Sequence, residues 1–374
     1  MRHSVDQFPF VAAFVSGSSG RWSDLQISEH DMLELCRTED LSALCLHRLA
    51  RSTADVDWPA GLVAALTDIA RLRVGEELLH GAETRAVVDA LTGAGLSPIL
   101  IKGTPLAYTM YDAPQLRPRE DTDVLIAPAE VDAARRVLVS LGYSATPSCH
   151  GLFSQFEMQK VDRYGVCHVF DVHWKISTQP VFEGVLTHGE LLPRTVRVPA
   201  LGASAVTPRA IDALLLACVH PVMHHRGEQR ALWLYDIDLL AGSLSEEQFA
   251  EFASLARSKQ VAWICAQQLR RARALLGTSV PPQAMRDLSG AADEPSEAYL
   301  ASHRTWRHEV ASSIRALPRA ADRVKLMREV LMPSPAYMLG AYGLQRNSLG
   351  TLLLPALYVH RNMMGAWKVL TGKK

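Results

Sequence analysis

No two of the six cysteines (Cys36, Cys45, Cys149, Cys167, Cys218, Cys265) have CxxC spacing. A zinc ribbon and a dithiol redox centre therefore lack their sequence signature. The cysteines sit mostly in apolar runs with no disulfide framework, so buried free thiols in a reducing cytoplasm are expected. Net charge is also missing: 39 Lys and Arg balance 39 Asp and Glu. No global field then draws the chain toward nucleic acid or an acidic surface. Long apolar runs are absent too. Residues 349–359 form the longest late run, which is too short for a bilayer and contains Pro355. The first twenty residues begin basic, but Asp6 and Pro9 spoil a signal peptide. The expectation is a cytoplasmic chain with no transmembrane span. Internal repeats and low-complexity tracts are lacking as well.

What is present suits a globular protein with a large core. The 374 residues are 48% hydrophobic and 21% charged, enough for two or three domains. One local asymmetry stands out. From residue 301 onward, 12 Lys and Arg face only 3 Asp and Glu. Such a segment reads as a solvated helical face, a contact for an acidic partner or membrane surface, or an RNA contact.

Residues 1–20 read as an irregular leader. Ser28 to Asp31 resembles a capping box, and apolar residues at helical spacing follow through residue 91. Gly93 and Gly95 close that segment. The expected organisation is a helical N-terminal region (1–95), a mixed α/β core (96–206) and a helical C-terminal region (207–374). Within the core, strands are expected over 124–126, 153–161 and 166–174, with a helix over 128–141 and a short hairpin over 195–206. Thr207 is expected to cap a helix over 211–219. Further helices are expected over 230–240, after the Ser245 capping box, over 261–276 and over 301–330, with a linker at 290–295.

The core is organised around residues 99–126, ILIKGTPLAYTMYDAPQLRPREDTDVLI. A short apolar strand, 99–101, runs into Lys102-Gly103-Thr104. Thr104 is the expected N-cap of a helix with Pro105 at its first position. Asp121 and Asp123 are two residues apart at the start of a buried strand, so their carboxylates share a face. Two ionised carboxylates so close raise each other's pKa unless a cation lies between them. Hard oxygen ligands favour Mg²⁺ or Mn²⁺ bound together with substrate phosphates. Gly103 and Thr104 offer backbone N–H groups and a hydroxyl for phosphate. Lys102 carries charge for a triphosphate, and Arg117 suits a phosphate clamp or a structural clamp. Together these point to metal-assisted nucleotidyl transfer.

The stretch resembles the nucleotidyltransferase fold of the DNA polymerase β superfamily. More closely, it resembles a bacterial family of uncharacterised nucleotidyltransferases through Lys102-Gly103, Tyr111-Asp112, Arg117 and Asp121-Thr122-Asp123. Thr122 departs from the usual apolar residue between the aspartates. The resemblance implies an α+β fold, a polymerase β-like core of mixed sheet and helices flanked by helical regions. It also implies a third acidic residue on a neighbouring strand, and Phe170-Asp171-Val172-His173-Trp174 matches the family run, with Asp171 in that role. Asp171 would complete the metal site with Asp121 and Asp123, pair with Arg117 or Arg119, or take a proton from an attacking hydroxyl. His173, Arg230 and Asp236 are further candidate supporting or substrate contacts.

His220 and His224 lie four residues apart, but Pro221 stands where an HExxH zinc motif needs Glu. That helix end is expected to line the cleft or to bind partner side chains. The implied activity is Mg²⁺- or Mn²⁺-dependent transfer of an NMP group from an NTP to an acceptor, releasing pyrophosphate. The alternatives are a non-catalytic nucleotide-binding or scaffold member, or a toxin-like transferase acting on tRNA or protein. No motif identifies the acceptor or the base.

Overall fold

The computed structural model describes residues 21–52, 57–145, 155–177, 179–225, 227–290, 294–300, 306–317, 319–333, 335–344 and 348–371. The leader at 1–20, Cys149 and the middle of the linker at 290–295 lie outside the described residues.

The chain starts with α1 (Glu29–Thr38), α2 (Ser42–Arg51) and α3 (Ala60–Gly93). Ser28 caps α1 by accepting the Asp31 backbone N–H. Its hydroxyl also donates to the Asp31 carboxylate at 2.6 Å. Helix α3 is one helix of 34 residues. After it, Gly95 adopts φ 82° and turns the chain toward the sheet.

Five strands form that sheet. They are β1 (Ile99–Ile101), β2 (Thr122–Leu125), β3 (Ser144–Ala145), β4 (Gln155–Val161) and β5 (Cys167–His173). Their order is β1-β2-β5-β4-β3, and only β2 and β5 run parallel. Between β1 and β2 lies α4 (Gly103–Thr109), and between β2 and β3 lies α5 (Val131–Ser140).

Strand alternation divides the sheet side chains between two cores. Leu100, Val124, Phe170 and Val172 pack with Val87, Val88 and Leu91 of α3 and Leu138 of α5. Ile99, Ile101 and Leu125 pack the opposite way, into the C-terminal helices. Burying each such aliphatic side chain stabilises the fold by roughly 1.5–3 kcal/mol. Asp123 alternates with Val124, so it stands on the face turned toward the C-terminal helices.

Two one-turn helices, α6 (Pro180–Glu183) and α7 (His188–Leu191), lead to a hairpin of β6 (Thr195–Arg197) and β7 (Val206–Pro208). Thr207 and Pro208 therefore belong to a strand that pairs with Val196 and Thr195. The helix expected to begin there starts two residues later. Proline, which has no N–H to donate, is tolerated at this edge.

Helices α8 (Ala210–His224), α9 (Ala231–Gly242), α10 (Glu246–Ser258), α11 (Ala262–Leu276) and α12 (Pro282–Ser289) follow. The Ser245 capping box forms as its sequence predicts, Ser245 Oγ accepting from Gln248 N and Gln248 Oε1 from Ser245 N. A third core joins Met32, Leu44 and Leu66 of the first helices to Leu232 and Tyr235 of α9, so the two helical regions meet beside the sheet.

The remaining helices are α13 (Trp306–Ala316), α14 (Ala320–Leu331), α15 (Pro335–Ala341) and α16 (Ser348–Thr371). The single helix expected over 301–330 is thus two. Among the described residues no helix is long and apolar enough to cross a membrane. The five described cysteines are free thiols.

Candidate active site and metal centre

The parallel pairing of β2 and β5 sets Asp123 directly beside Asp171, and Leu125 beside His173. All three polar residues are buried. Their ligand atoms lie within 4.8 Å of one another, the spacing a metal ion needs. His173 Nε2–H is shared between Asp123 Oδ1 at 2.8 Å and Asp171 Oδ2 at 3.3 Å. On the other side of Asp171, Gln155 Nε2 donates to Oδ2 at 2.6 Å. Asp171 Oδ1 is buried with no hydrogen-bond partner, and so is His173 Nδ1. A buried carboxylate oxygen with no donor is an unsatisfied acceptor that a cation would satisfy. This oxygen-rich cluster fits a hard divalent cation.

Lys102 supplies the cation that the side chains bring with them. Its Nζ donates to Asp123 Oδ1 at 2.6 Å. The position is reached through φ 59° and ψ −134°, a conformation unusual for a residue with a side chain. Lys102, not Thr104, is the N-cap residue, and α4 begins at Gly103. The positive φ redirects the chain at the end of β1 and so starts the helix early.

The charges of this cluster tune one another. Burial pushes the Asp123 carboxyl up, but the Lys102 charge and the His173 hydrogen bond outweigh it and hold the group well below the usual carboxylate range. Burial likewise opposes the Lys102 ammonium, yet Asp123 keeps its pKa above the ordinary value. Burial and the Lys102 charge work against His173⁺, and the two aspartates reverse that, leaving His173 raised. Asp121 is exposed and precedes β2. It stands outside the close cluster of Asp123, Asp171 and His173. The Asp123 charge, then desolvation, pushes its carboxyl up to about 7.

The other expected contacts divide. Thr104 is buried, and its Oγ1 lies 3.4 Å from Thr122 Oγ1, inside the fold. Gly103 lines a small cleft of about 50 Å³, open to solvent, whose walls include Lys102, Arg117, His220, Trp233 and Asp236. A Cβ at Gly103 would lie 3.1 Å from Arg117 Nη2, which is why glycine suits the position. Of the two expected roles for Arg117, its contacts serve the structural clamp. Nε and Nη2 grip Asp236, and Nη1 donates to the Pro118 carbonyl. Arg230 reaches away to the Thr38 carbonyl and Asp40, joining the C-terminal helices to the N-terminal ones.

His220 lines the cleft, with its pKa pushed well down by burial and then by the Lys102 charge. It contacts Trp233 edge-on at 5.2 Å between ring centres. His224 donates Nε2–H to the Ile176 carbonyl at 3.0 Å and so is used structurally.

Two residues went unnoticed in the sequence. Gln155 holds Asp171. Glu157 is in register with Asp171 across the antiparallel β4–β5 pair, so it points to the same face. Both stand on the face of β4 away from buried Phe156 and Met158, and nothing local in the sequence marks their cross-strand partner.

A mixed sheet with carboxylates on adjacent strands, reached through a Lys-Gly helix start, defines an α+β nucleotidyltransferase core with helical flanks. The chain belongs to the family described as uncharacterised nucleotidyltransferase, whose model matches residues 26–277. No curated protein matches the chain.

Proposed function

We propose that this protein is a divalent-metal-dependent nucleotidyltransferase that moves an NMP group from an NTP to an acceptor hydroxyl and releases pyrophosphate. The observation that carries this reading is the buried, unsatisfied Oδ1 of Asp171 beside Asp123 in a member of a nucleotidyltransferase family. Asp123 and Asp171 would hold Mg²⁺ or Mn²⁺, with Asp121 adding a carboxylate from the solvent side. The ion would neutralise triphosphate charge and polarise the phosphorus under attack. Lys102, now bonded to Asp123, would turn its ammonium to phosphate oxygens. The small cleft beside Gly103, with His220 and Trp233 on its wall, would receive part of the nucleotide. His173 and Gln155 orient the two carboxylates.

One observation favours a second reading, a non-catalytic nucleotide-binding member. The Lys102 ammonium already neutralises Asp123 without a metal.

Thermal unfolding with each of the four NTPs, with and without Mg²⁺, tests both. A ligand at a hundredfold its Kd stabilises the folded state by about 2.7 kcal/mol. The expected result is a Mg²⁺-dependent rise with at least one NTP, lost in Asp123→Asn and in Asp171→Asn. A rise independent of metal and retained in both variants would support the non-catalytic reading. No rise with any NTP, with Mg²⁺ or Mn²⁺, would overturn both.

A further inference from the structure

The helices after residue 305 lie beyond the family match, and two of them, α14 and α16, expose rows of apolar side chains. On α16, Leu352, Val359 and Met363 fall on one helical face and are 77%, 60% and 66% exposed. The opposite face, with Leu354, Leu357 and Arg361, is half-buried against the protein. Arg361 Nη1 donates to the Val330 carbonyl at 2.7 Å and Asn362 Nδ2 to the Leu331 carbonyl at 3.1 Å. Tyr358 Oη donates to the Pro333 carbonyl at 2.5 Å. The helix is therefore apolar on both faces and leaves one of them in solvent, where a surface helix of a globular protein would be polar.

Helix α14, whose last carbonyls accept the Arg361 and Asn362 bonds, also exposes apolar side chains. Val324, Met327 and Leu331 form an exposed stripe at positions i, i+3 and i+7. Exposed Arg323, Lys325 and Arg328 flank it, and Arg319 precedes the helix.

We infer that α14 and α16 form a docking surface for an anionic lipid bilayer, lying in its interface without crossing it. Charge complementarity selects this occupant. The segment from 301 has 12 Lys and Arg against 3 Asp and Glu, beside apolar stripes that a headgroup region would bury. A nucleic acid would use the cations but leave Leu352, Val359 and Met363 in water. A second copy of the chain would bring the same positive charge against itself. No helix among the described residues is a membrane span, so attachment by this surface is peripheral and reversible.

The test is co-sedimentation of the full chain with vesicles of phosphatidylcholine alone and of equal parts phosphatidylcholine and phosphatidylglycerol. Binding is expected only to the anionic vesicles and is weakened by salt. The triple variant Leu352→Asp, Val359→Asp, Met363→Asp should lose it, with circular dichroism and melting unchanged because the three side chains are exposed. Arg319→Gln, Lys325→Gln, Arg328→Gln should weaken it about a hundredfold, roughly fivefold per charge. The inference is overturned by failure of the wild type to sediment, or by equal sedimentation of the folded apolar variant. It is also overturned if the wild type binds tRNA or self-associates through these residues while ignoring both vesicles.

Discussion

Arg117 and Asp236, 119 residues apart, form a two-pronged ion pair, with Nε and Nη2 of the arginine 3.0 and 2.8 Å from the two carboxylate oxygens. Both side chains are at most 10% exposed. Tyr111 Oη donates to the same carboxylate at 2.7 Å. The pair fixes the loop before β2 to helix α9, and so sets the width of the cleft between the sheet and the C-terminal helices. Asp236→Ala strands a buried guanidinium and should destabilise the fold by about 3–5 kcal/mol in urea. Arg117→Met combined with Asp236→Leu should recover most of that. If the double variant is as unstable as the single one, the unpaired charge is not the cause.

Lys102 offers a sharper test because its backbone and its charge can be separated. Glycine relaxes the positive φ, so Lys102→Gly should be more stable than Lys102→Met by about 1–3 kcal/mol. Both variants free Asp123 Oδ1 of its ammonium partner. Calorimetry without nucleotide should therefore show tighter Mg²⁺ binding in both than in the wild type. Unchanged metal affinity would mean that Lys102 does not compete for that carboxylate.

His80 governs part of the acid sensitivity. Its Nδ1–H points to His168 Nδ1 at 3.1 Å, and His168 Nε2–H donates to Asp162 at 3.1 Å. Burial, then the Arg119 charge, pushes the His80 pKa from 6.5 to about 4. The unfolded chain thus binds the extra proton first. The stability from neutral His80 is complete above pH 6.5 and is lost as the pH falls toward 4. His80→Asn keeps a donor near that position and cannot titrate. Urea unfolding from neutral to acid pH should show a smaller loss for the variant, and parallel curves would contradict this.

Two glycines of α3 should respond in opposite ways to alanine. A Cβ at Gly75 would have nothing within 4 Å, so Gly75→Ala should stabilise the helix by about 0.5–1 kcal/mol. A Cβ at Gly81 would collide with Tyr108 Oη. That hydroxyl donates to Glu77 at 2.5 Å, so Gly81→Ala should break the bond and lower the melting temperature. Equal gains at the two sites would show that the Tyr108 ring moves aside freely.

Much of the site is legible before folding because it is local. Lys102-Gly103, the Asp121–Asp123 spacing and the apolar flanks of Asp171 are all short-range patterns. Strand alternation places Asp123 opposite to Val124 without any coordinates. Less local features misled. Thr207 and Pro208 have the chemistry of a helix start, but pairing with β6 draws them into a strand. Thr104 has a capping side chain, but the backbone of Lys102 begins the helix before it. Its hydroxyl then turns inward to Thr122.

The sequence by itself determined most of the elements and the two faces of each strand, since each follows from periodicity and neighbouring residue types. Only the tertiary structure decided which polar groups meet. It put Asp171 in register with Asp123 and set Gln155 and His173 against it. It also joined Arg117 to Asp236 and left one apolar face of α14 and one of α16 in solvent. Those pairings depend on strand register and helix packing between distant segments. No local propensity encodes them.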